Sequence, residues 1–120
     1  MHIVAEVLVG VVALIHGYFL VLEMFLWRTP VGLQVFGTTQ EFADQAAPLA
    51  ANQGLYNGFL AAGLVWGLVA ADPVGFQAKV FFLVCVIVAG VYGALTVSRR
   101  ILLFQAVPGA VALAFVLVAQ

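Results

Sequence analysis

Residues 14–27 read LIHGYFLVLEMFLW and belong to an apolar run that is long enough to cross a lipid bilayer. This run carries two ionisable side chains, His16 and Glu23. Their separation is about two helical turns, so both side chains fall on one stripe of a helix. Ionisable groups inside a membrane span are energetically costly, and they therefore mark a candidate functional site.

The composition of the whole chain predicts an integral membrane protein. Of its 120 residues, 66% are hydrophobic and 8% are charged, whereas soluble domains carry about 25% charged residues. A net charge of −1 with four basic residues excludes a nucleic-acid-binding surface. The single cysteine, Cys85, excludes an intramolecular disulfide. The first residues lack the basic segment and cleavage site of a signal peptide, so we expect them to belong to a retained span.

Four apolar segments predict an all-α membrane protein, with four transmembrane helices in an antiparallel bundle and a single domain over residues 1–120. The predicted spans cover residues 3–27, 48–71, 77–97 and 101–119. A very short basic turn joins the last two spans, so they must form an antiparallel hairpin. Glycine and alanine at small-xxx-small spacing in the second and third spans predict close helix packing, within one chain or in a homo-oligomer.

The connection between the first two predicted spans, TPVGLQVFGTTQEFADQAAP (residues 29–48), is too long for a simple turn. Thr38 followed by Glu41 is a capping-box pattern, which predicts a short interfacial helix over EFADQAA. Pro48 either begins the second span or lies within a longer helix that runs through it. This long first loop is interpreted either as a surface connector or as a lid.

The basic residues predict the orientation of the chain. Arg28, Arg99 and Arg100 fall on one side of the predicted bundle and Lys79 falls on the other. Because basic residues concentrate on the cytoplasmic side, the first and third loops are predicted to be cytoplasmic and both termini outside.

Polar side chains from all four predicted spans are expected at a similar depth near the cytoplasmic face. Buried amides and phenols must find hydrogen-bond partners in lipid, so the set predicts either a cavity or structural bonds between helices. His16 is expected about two turns deeper. The residues at the shared depth are Glu23, Asn52, Gln53, Tyr56, Asn57, Tyr92 and Gln105.

Glu23 is the leading candidate for a catalytic acid, because a carboxyl group held away from water favours its neutral form and can donate a proton. Tyr56 and His16 are further catalytic candidates, and substrate binding is assigned to the remaining polar residues: Asn52, Gln53, Asn57, Tyr92 and Gln105. The alternative is that Glu23 only hydrogen-bonds Asn52 or Gln53 and fixes helix packing. His16 is a minor candidate for a haem ligand; no other residues have metal-ligand spacing, and no cofactor is otherwise predicted.

Two segments of the chain resemble the signature blocks of a known family. HGYFLVLEMFLWRTPVGLQVFG and LAANQGLYNGFLAAGLVWG are similar to the two blocks of a small bacterial membrane family catalogued as Domain of Unknown Function 1304. The resemblance covers essentially the whole chain. It implies four spans in the bacterial cytoplasmic (inner) membrane and no settled activity.

The sequence thus favours a small membrane enzyme, an isomerase or cyclase, that acts on a lipophilic substrate near the cytoplasmic leaflet. Its chemistry would be initiated by acid, as in epoxide opening, isomerisation or terpenoid cyclisation. The expected partners are the lipid bilayer, the substrate and further copies of the chain. Two alternatives remain open: a proton-coupled exporter similar to the small multidrug transporters, and a structural membrane subunit without catalytic activity.

Overall fold

The computed structural model describes residues 2–120, and 87% of these residues are helical. Residues 2–120 contain no β-strand. The α-helices of this part of the chain are α1 (His2–Met24), α2 (Pro30–Phe36), α3 (Gln40–Val69), α4 (Val74–Thr96) and α5 (Val107–Ala119). A π-helical segment, Leu102–Ala106, leads directly into α5. The all-α prediction is confirmed.

Three helical stretches of the described chain are long and apolar enough to cross a membrane: His2–Met24, Val74–Thr96 and Leu102–Ala119. They correspond to the first, third and fourth predicted spans. α3 is 30 residues long, but its first half carries glutamine and asparagine side chains that lower its hydropathy. The count of four spans therefore stays a prediction.

The membrane-length helices expose large apolar side chains. Leu14 on α1 is 75% exposed, Phe81 on α4 is 61% exposed, and Leu95 on α4 is 81% exposed. Soluble monomers rarely expose so many large apolar side chains. In a membrane protein, lipid tails cover such side chains.

At the start of α3 the second alternative for Pro48, a longer helix that runs through it, is confirmed, whereas the separate short helix is not. A single helix runs from Gln40 through Pro48 to Val69, so the predicted short helix over EFADQAA is the beginning of α3. Thr38 is not its cap: Thr39 Oγ1 accepts the hydrogen bond from Phe42 N at 3.2 Å. The reason is that Thr38 N donates to Leu33 O at 3.0 Å and thereby closes the C-terminus of α2, as in a Schellman motif.

α2 was not predicted, although the local chemistry explains it. Thr29 Oγ1 accepts a hydrogen bond from Gly32 N at 3.3 Å, and Pro30 occupies the first turn, where its missing N–H costs nothing. Gly37 ends the helix in the left-handed conformation, with φ +63°, which suits a residue without Cβ.

The contacts divide the described chain into two compact units, and their boundaries fall inside α1 and α3. Unit 1 comprises residues 2–15 and 60–120, and unit 2 comprises His16–Phe59. The core of unit 1 draws on α1, α3, α4 and α5. Its buried members are Ala5, Val9, Val12, Ala13, Leu64, Leu83, Val86, Ala112 and Val116.

α4 packs against the π-helical segment and α5 within unit 1. Gly109 lies against Val86, Gly90 against Ala106, and Gly93 against Ile101. Residues later in α4 contact residues earlier in the segment that follows it, so α4 and α5 run antiparallel. The predicted hairpin is confirmed, and its glycines lie at the contact.

Candidate functional site

Glu23 and Asn57 meet in unit 2. Asn57 Nδ2 donates a hydrogen bond of 2.5 Å to Glu23 Oε1. Glu23 lies in the last turn of α1 and is half-buried, and Asn57 on α3 is buried. An amide that donates to a carboxyl oxygen fixes the orientation of the carboxyl group and leaves its other oxygen available for a second contact.

The close approach of the two helices depends on glycine. A Cβ added at Gly54 would lie 2.7 Å from Met24 Cγ and 3.0 Å from Glu23 Cβ. A Cβ at Gly58 would lie 2.5 Å from Leu20 Cδ1. The GxxxG spacing of Gly54 and Gly58 is therefore a contact surface for α1, and Asn57 lies on the same face of α3.

The amide partner of Glu23 differs from the one expected. The sequence interpretation named Asn52 or Gln53, but both of these side chains are exposed. Successive residues of a helix project about 100° apart, and the Gly54/Gly58 face turns Asn57 towards α1. The partner of Glu23 is consequently Asn57.

Glu23 also lines a groove of about 500 Å³ in unit 2. One wall is formed by the end of α1 and the residues after it, and the other by α3. Besides Glu23, the lining residues are Met24, Phe25, Trp27, Arg28, Thr29, Ala47, Pro48 and Ala51. The groove is therefore mostly apolar, with one carboxyl group and one guanidinium group on its surface.

The groove wall after α1 is held in place by Trp27. Trp27 Nε1 donates to Ala43 O at 2.9 Å, and its ring packs against Phe36 with the ring centroids 4.9 Å apart. Thr29 Oγ1 donates to Leu26 O at 2.7 Å. A Cβ at Gly32 would overlap Leu26 O, so α2 lies directly on this turn. The first loop is thus packed onto the turn that follows α1 and onto the beginning of α3.

Arg28 forms an exposed ion pair at the edge of the groove. Its Nη1 lies 3.7 Å from Asp44 Oδ1, and the side chains are 61% and 51% exposed. Gln40 Nε2 donates to the same oxygen at 2.9 Å. Exposed pairs of this kind contribute about 0–1 kcal/mol to stability, so Arg28 is available to a ligand in the groove at small cost.

Three predicted site residues lie apart from this groove. Asn52, Gln53 and Tyr56 are exposed on α3, and none of them lines the groove. The Tyr56 ring packs edge-to-face against Phe59, with the ring centroids 5.8 Å apart. Their exposure suits a surface role better than a place beside the carboxyl group of Glu23.

The other predicted residues are distributed over both units. His16 in unit 2 is fully buried and packs edge-to-face against Phe19 at 5.9 Å. It does not line the groove, and its role as a haem ligand stays a prediction. In unit 1, Tyr92 is 68% exposed on α4, and Gln105 is half-buried in the π-helical segment.

Sequence reasoning missed the groove residues around Glu23. Arg28 was used only to predict the orientation of the chain. A usable signal existed, because Asn57 is spaced from Gly54 and Gly58 so that all three share one helix face. Within residues 2–120, no three His, Cys, Asp or Glu side chains lie close enough to hold a metal ion.

These features define a class of protein: an all-helical chain with membrane-length apolar helices and a carboxyl-bearing groove at the end of the first one. The chain belongs to the family described as "Protein of unknown function (DUF1304)", whose profile matches residues 10–117. The resemblance of the two sequence blocks is thereby confirmed.

A curated relative is similar over most of the chain. It is the "Uncharacterized protein YpaA" of Lactococcus lactis subsp. lactis (strain IL1403), which is 29% identical over 109 residues. The match covers 88% of this chain and 89% of the relative. No solved structure matches.

Proposed function

We propose that the chain is an integral protein of the bacterial cytoplasmic membrane with four spans, of which α3 is the second in chain order. At 30 residues, α3 exceeds the length that a bilayer requires, and its Gly54/Gly58 face contacts α1 as membrane helices do. The basic residues favour a cytoplasmic position for the first and third connections and external termini.

We propose further that the groove in unit 2 is the active site of an isomerase or cyclase for a lipophilic substrate. The observation that carries this proposal is the position of Glu23, whose carboxyl group is fixed by Asn57 and lines a groove with apolar walls. A positioned carboxylic acid in such a site is a general acid.

In the proposed reaction, the acid form of Glu23 transfers its proton to the substrate, at an epoxide oxygen or at an alkene carbon. Loss of a proton from a neighbouring carbon to the Glu23 carboxylate then gives the isomer and restores the acid. The hydrogen bond from Asn57 Nδ2 stabilises the carboxylate between the two transfers. The Trp27 ring, which lines the same groove, can stabilise a substrate cation by its π face.

The test is turnover in D₂O by the full chain in liposomes, with a panel of terpenoid epoxides and unsaturated isoprenoid alcohols as probes and mass spectrometry of the products. We expect a rearranged product of at least one probe. Protonation of an alkene carbon also leaves a stable C–D bond in the product, whereas deuterium on the oxygen of an opened epoxide exchanges and is not scored. Glu23→Gln keeps the shape of the side chain but removes the acid, and we expect a loss of about 100-fold or more. The matched control is Glu41→Gln, which removes an exposed carboxyl group that does not line the groove and should leave the rate unchanged.

Three results would overturn this function. Equal turnover by wild type and Glu23→Gln excludes Glu23 as the acid. No turnover of any probe excludes the proposed substrate class. Proton-driven uptake of ethidium into the same liposomes, lost in Glu23→Gln and without chemical conversion, would assign the chain to the exporters instead.

A further inference from the structure

A second cavity, of about 400 Å³, lies in unit 1 and shares no lining residue with the Glu23 groove. It is formed where α1 begins, where α3 connects to α4, and where α5 ends. Ala5, Phe76 and Val116 supply apolar wall, and three charged side chains, Lys79, Glu6 and Asp72, also line it. The proposed acid chemistry uses none of these residues.

Lys79 is buried to an extent that is unusual for lysine. Only 8% of its surface is exposed, whereas lysine is almost never fully buried unless it is paired. Its aliphatic stem crosses α3 at Gly67, where an added Cβ would lie 2.6 Å from Lys79 Cγ. Because Gly67 has no side chain, the stem of Lys79 fits against α3 inside the unit.

The ammonium group of Lys79 has no hydrogen bond or ion pair with any residue between 2 and 120. In the same part of the chain, no fully buried side-chain nitrogen or oxygen lacks a partner. The Lys79 Nζ atom is therefore not sealed off, and the cavity that Lys79 lines offers space for a partner. A buried ammonium group in this position needs an anionic or carbonyl oxygen from a ligand.

Two carboxylates stand at the exposed rim of the cavity. Glu6 on α1 and Asp72 before α4 are both exposed and both line the cavity. Asp72 is held there because its Oδ1 accepts a hydrogen bond from Phe76 N at 3.0 Å. A purely anionic ligand would meet repulsion from both carboxylates, whereas a ligand with an anionic and a cationic end meets attraction at each.

We propose that this cavity binds a phosphate–ammonium zwitterion, with the phosphate on Lys79 and the primary ammonium between Glu6 and Asp72. The same chemistry occurs in the headgroup of phosphatidylethanolamine and in free phosphoethanolamine. The lipid is the favoured source. The cavity lies at the ends of membrane-length apolar helices, where headgroups lie, and its apolar wall suits the beginning of an acyl chain.

The experiment is native mass spectrometry of the full chain in detergent, titrated with phosphatidylethanolamine, phosphatidylcholine and phosphatidylglycerol of identical acyl chains. We expect phosphatidylethanolamine to bind about tenfold more tightly than either of the others, because only it offers both a phosphate and a primary ammonium. Excess soluble phosphoethanolamine displaces the lipid if the free zwitterion is the ligand, and leaves it bound if the acyl chains are needed.

Variants assign the binding to this cavity. Lys79→Met keeps the stem on Gly67 and should weaken phosphatidylethanolamine about tenfold. Glu6→Gln changes only an exposed side chain, so it will fold, and it should shift the preference towards phosphatidylglycerol. The matched control, Arg99→Gln, removes an exposed cation of the same unit outside the cavity and should change nothing. Equal binding of the three lipids, or an unchanged preference in Glu6→Gln, would overturn the proposal.

Discussion

Asn57 Nδ2 donates a hydrogen bond to Glu23 Oε1 across 2.5 Å, and this bond joins the last turn of α1 to α3. It is the point at which the buried amide of Asn57 and the carboxyl group of α1 meet. Since Gly54 and Gly58 bring the backbones together at the same place, the bond and the glycines form one structural unit.

The first prediction concerns the strength of this bond. Asn57→Leu leaves the carboxyl group of Glu23 without its amide donor, and we expect a loss of about 1–3 kcal/mol in the free energy of unfolding. In the double variant Glu23→Leu, Asn57→Leu no polar group is left unpaired, so it should lose about 1–2 kcal/mol less than the two single variants together. Unfolding by dodecyl sulfate in mixed micelles measures all four proteins. If the loss in the double variant equals the sum of the two single losses to within about 0.5 kcal/mol, the two residues are not coupled.

The helices themselves could be predicted because apolar length alone defines them. α1, α4 and α5 follow from runs of apolar residues ended by polar residues, and the α4–α5 hairpin follows from the short Ser98–Arg100 turn. No tertiary information is needed for either inference. α2 was missed because its seven residues are too few for a periodic pattern, so that only the Thr29–Pro30 and Gly37 signals mark it.

The partner of Glu23 was harder to predict than the presence of a site. Asn52, Gln53 and Asn57 are chemically similar, and a rotation of α3 by about 100° exchanges which of them faces α1. That rotation is set by Gly54 and Gly58, whose contacts with Met24 and Leu20 are known only once the helices are packed. The three candidate amides can therefore be named from the sequence, but only the packed helices show that Asn57 contacts Glu23.

The second prediction tests whether Gly54 is needed for the approach of α1. Gly54→Ala places a methyl group 2.7 Å from Met24 Cγ, and we expect a loss of about 1–3 kcal/mol in the free energy of unfolding. Gly17→Ala is the matched control, because nothing lies within 4 Å of its added Cβ. The control should be neutral or more stable by up to about 1 kcal/mol, since alanine favours the helix. Equal effects of the two substitutions in the same micelle assay would contradict a contact role for Gly54.

The third prediction concerns the anchoring of the first loop. Trp27→Phe removes the hydrogen bond to Ala43 O but keeps a ring opposite Phe36. We expect a loss of about 1 kcal/mol, expressed as faster hydrogen exchange in residues 28–45. The control is Trp66→Phe, which alters an exposed tryptophan of α3 outside unit 2. Exchange in residues 28–45 that is the same in Trp27→Phe as in wild type would show that the indole N–H does not hold the loop.

The fourth prediction compares two glycines of α4 that face the same hairpin partner. A Cβ at Gly90 would lie 2.6 Å from Ala106 N and 2.9 Å from Ala106 Cα, which are backbone atoms. A Cβ at Gly93 would lie 3.0 Å from Ile101 Cδ1, the end of a flexible side chain. Relief at Gly90 requires the π-helical segment to move away from α4, whereas relief at Gly93 requires only a change of rotamer.

Gly90→Ala is therefore expected to lower the free energy of unfolding by about 3 kcal/mol, at the upper end of the range for overpacking. Gly93→Ala is expected to change it by less than about 1 kcal/mol, because the gain in helix propensity offsets a small shift of Ile101. The two variants carry the same chemical change on the same helix, so each controls for the other in unfolding by dodecyl sulfate. If Gly93→Ala were the more damaging of the two, the close contact between α4 and Ala106 could not be what fixes the hairpin.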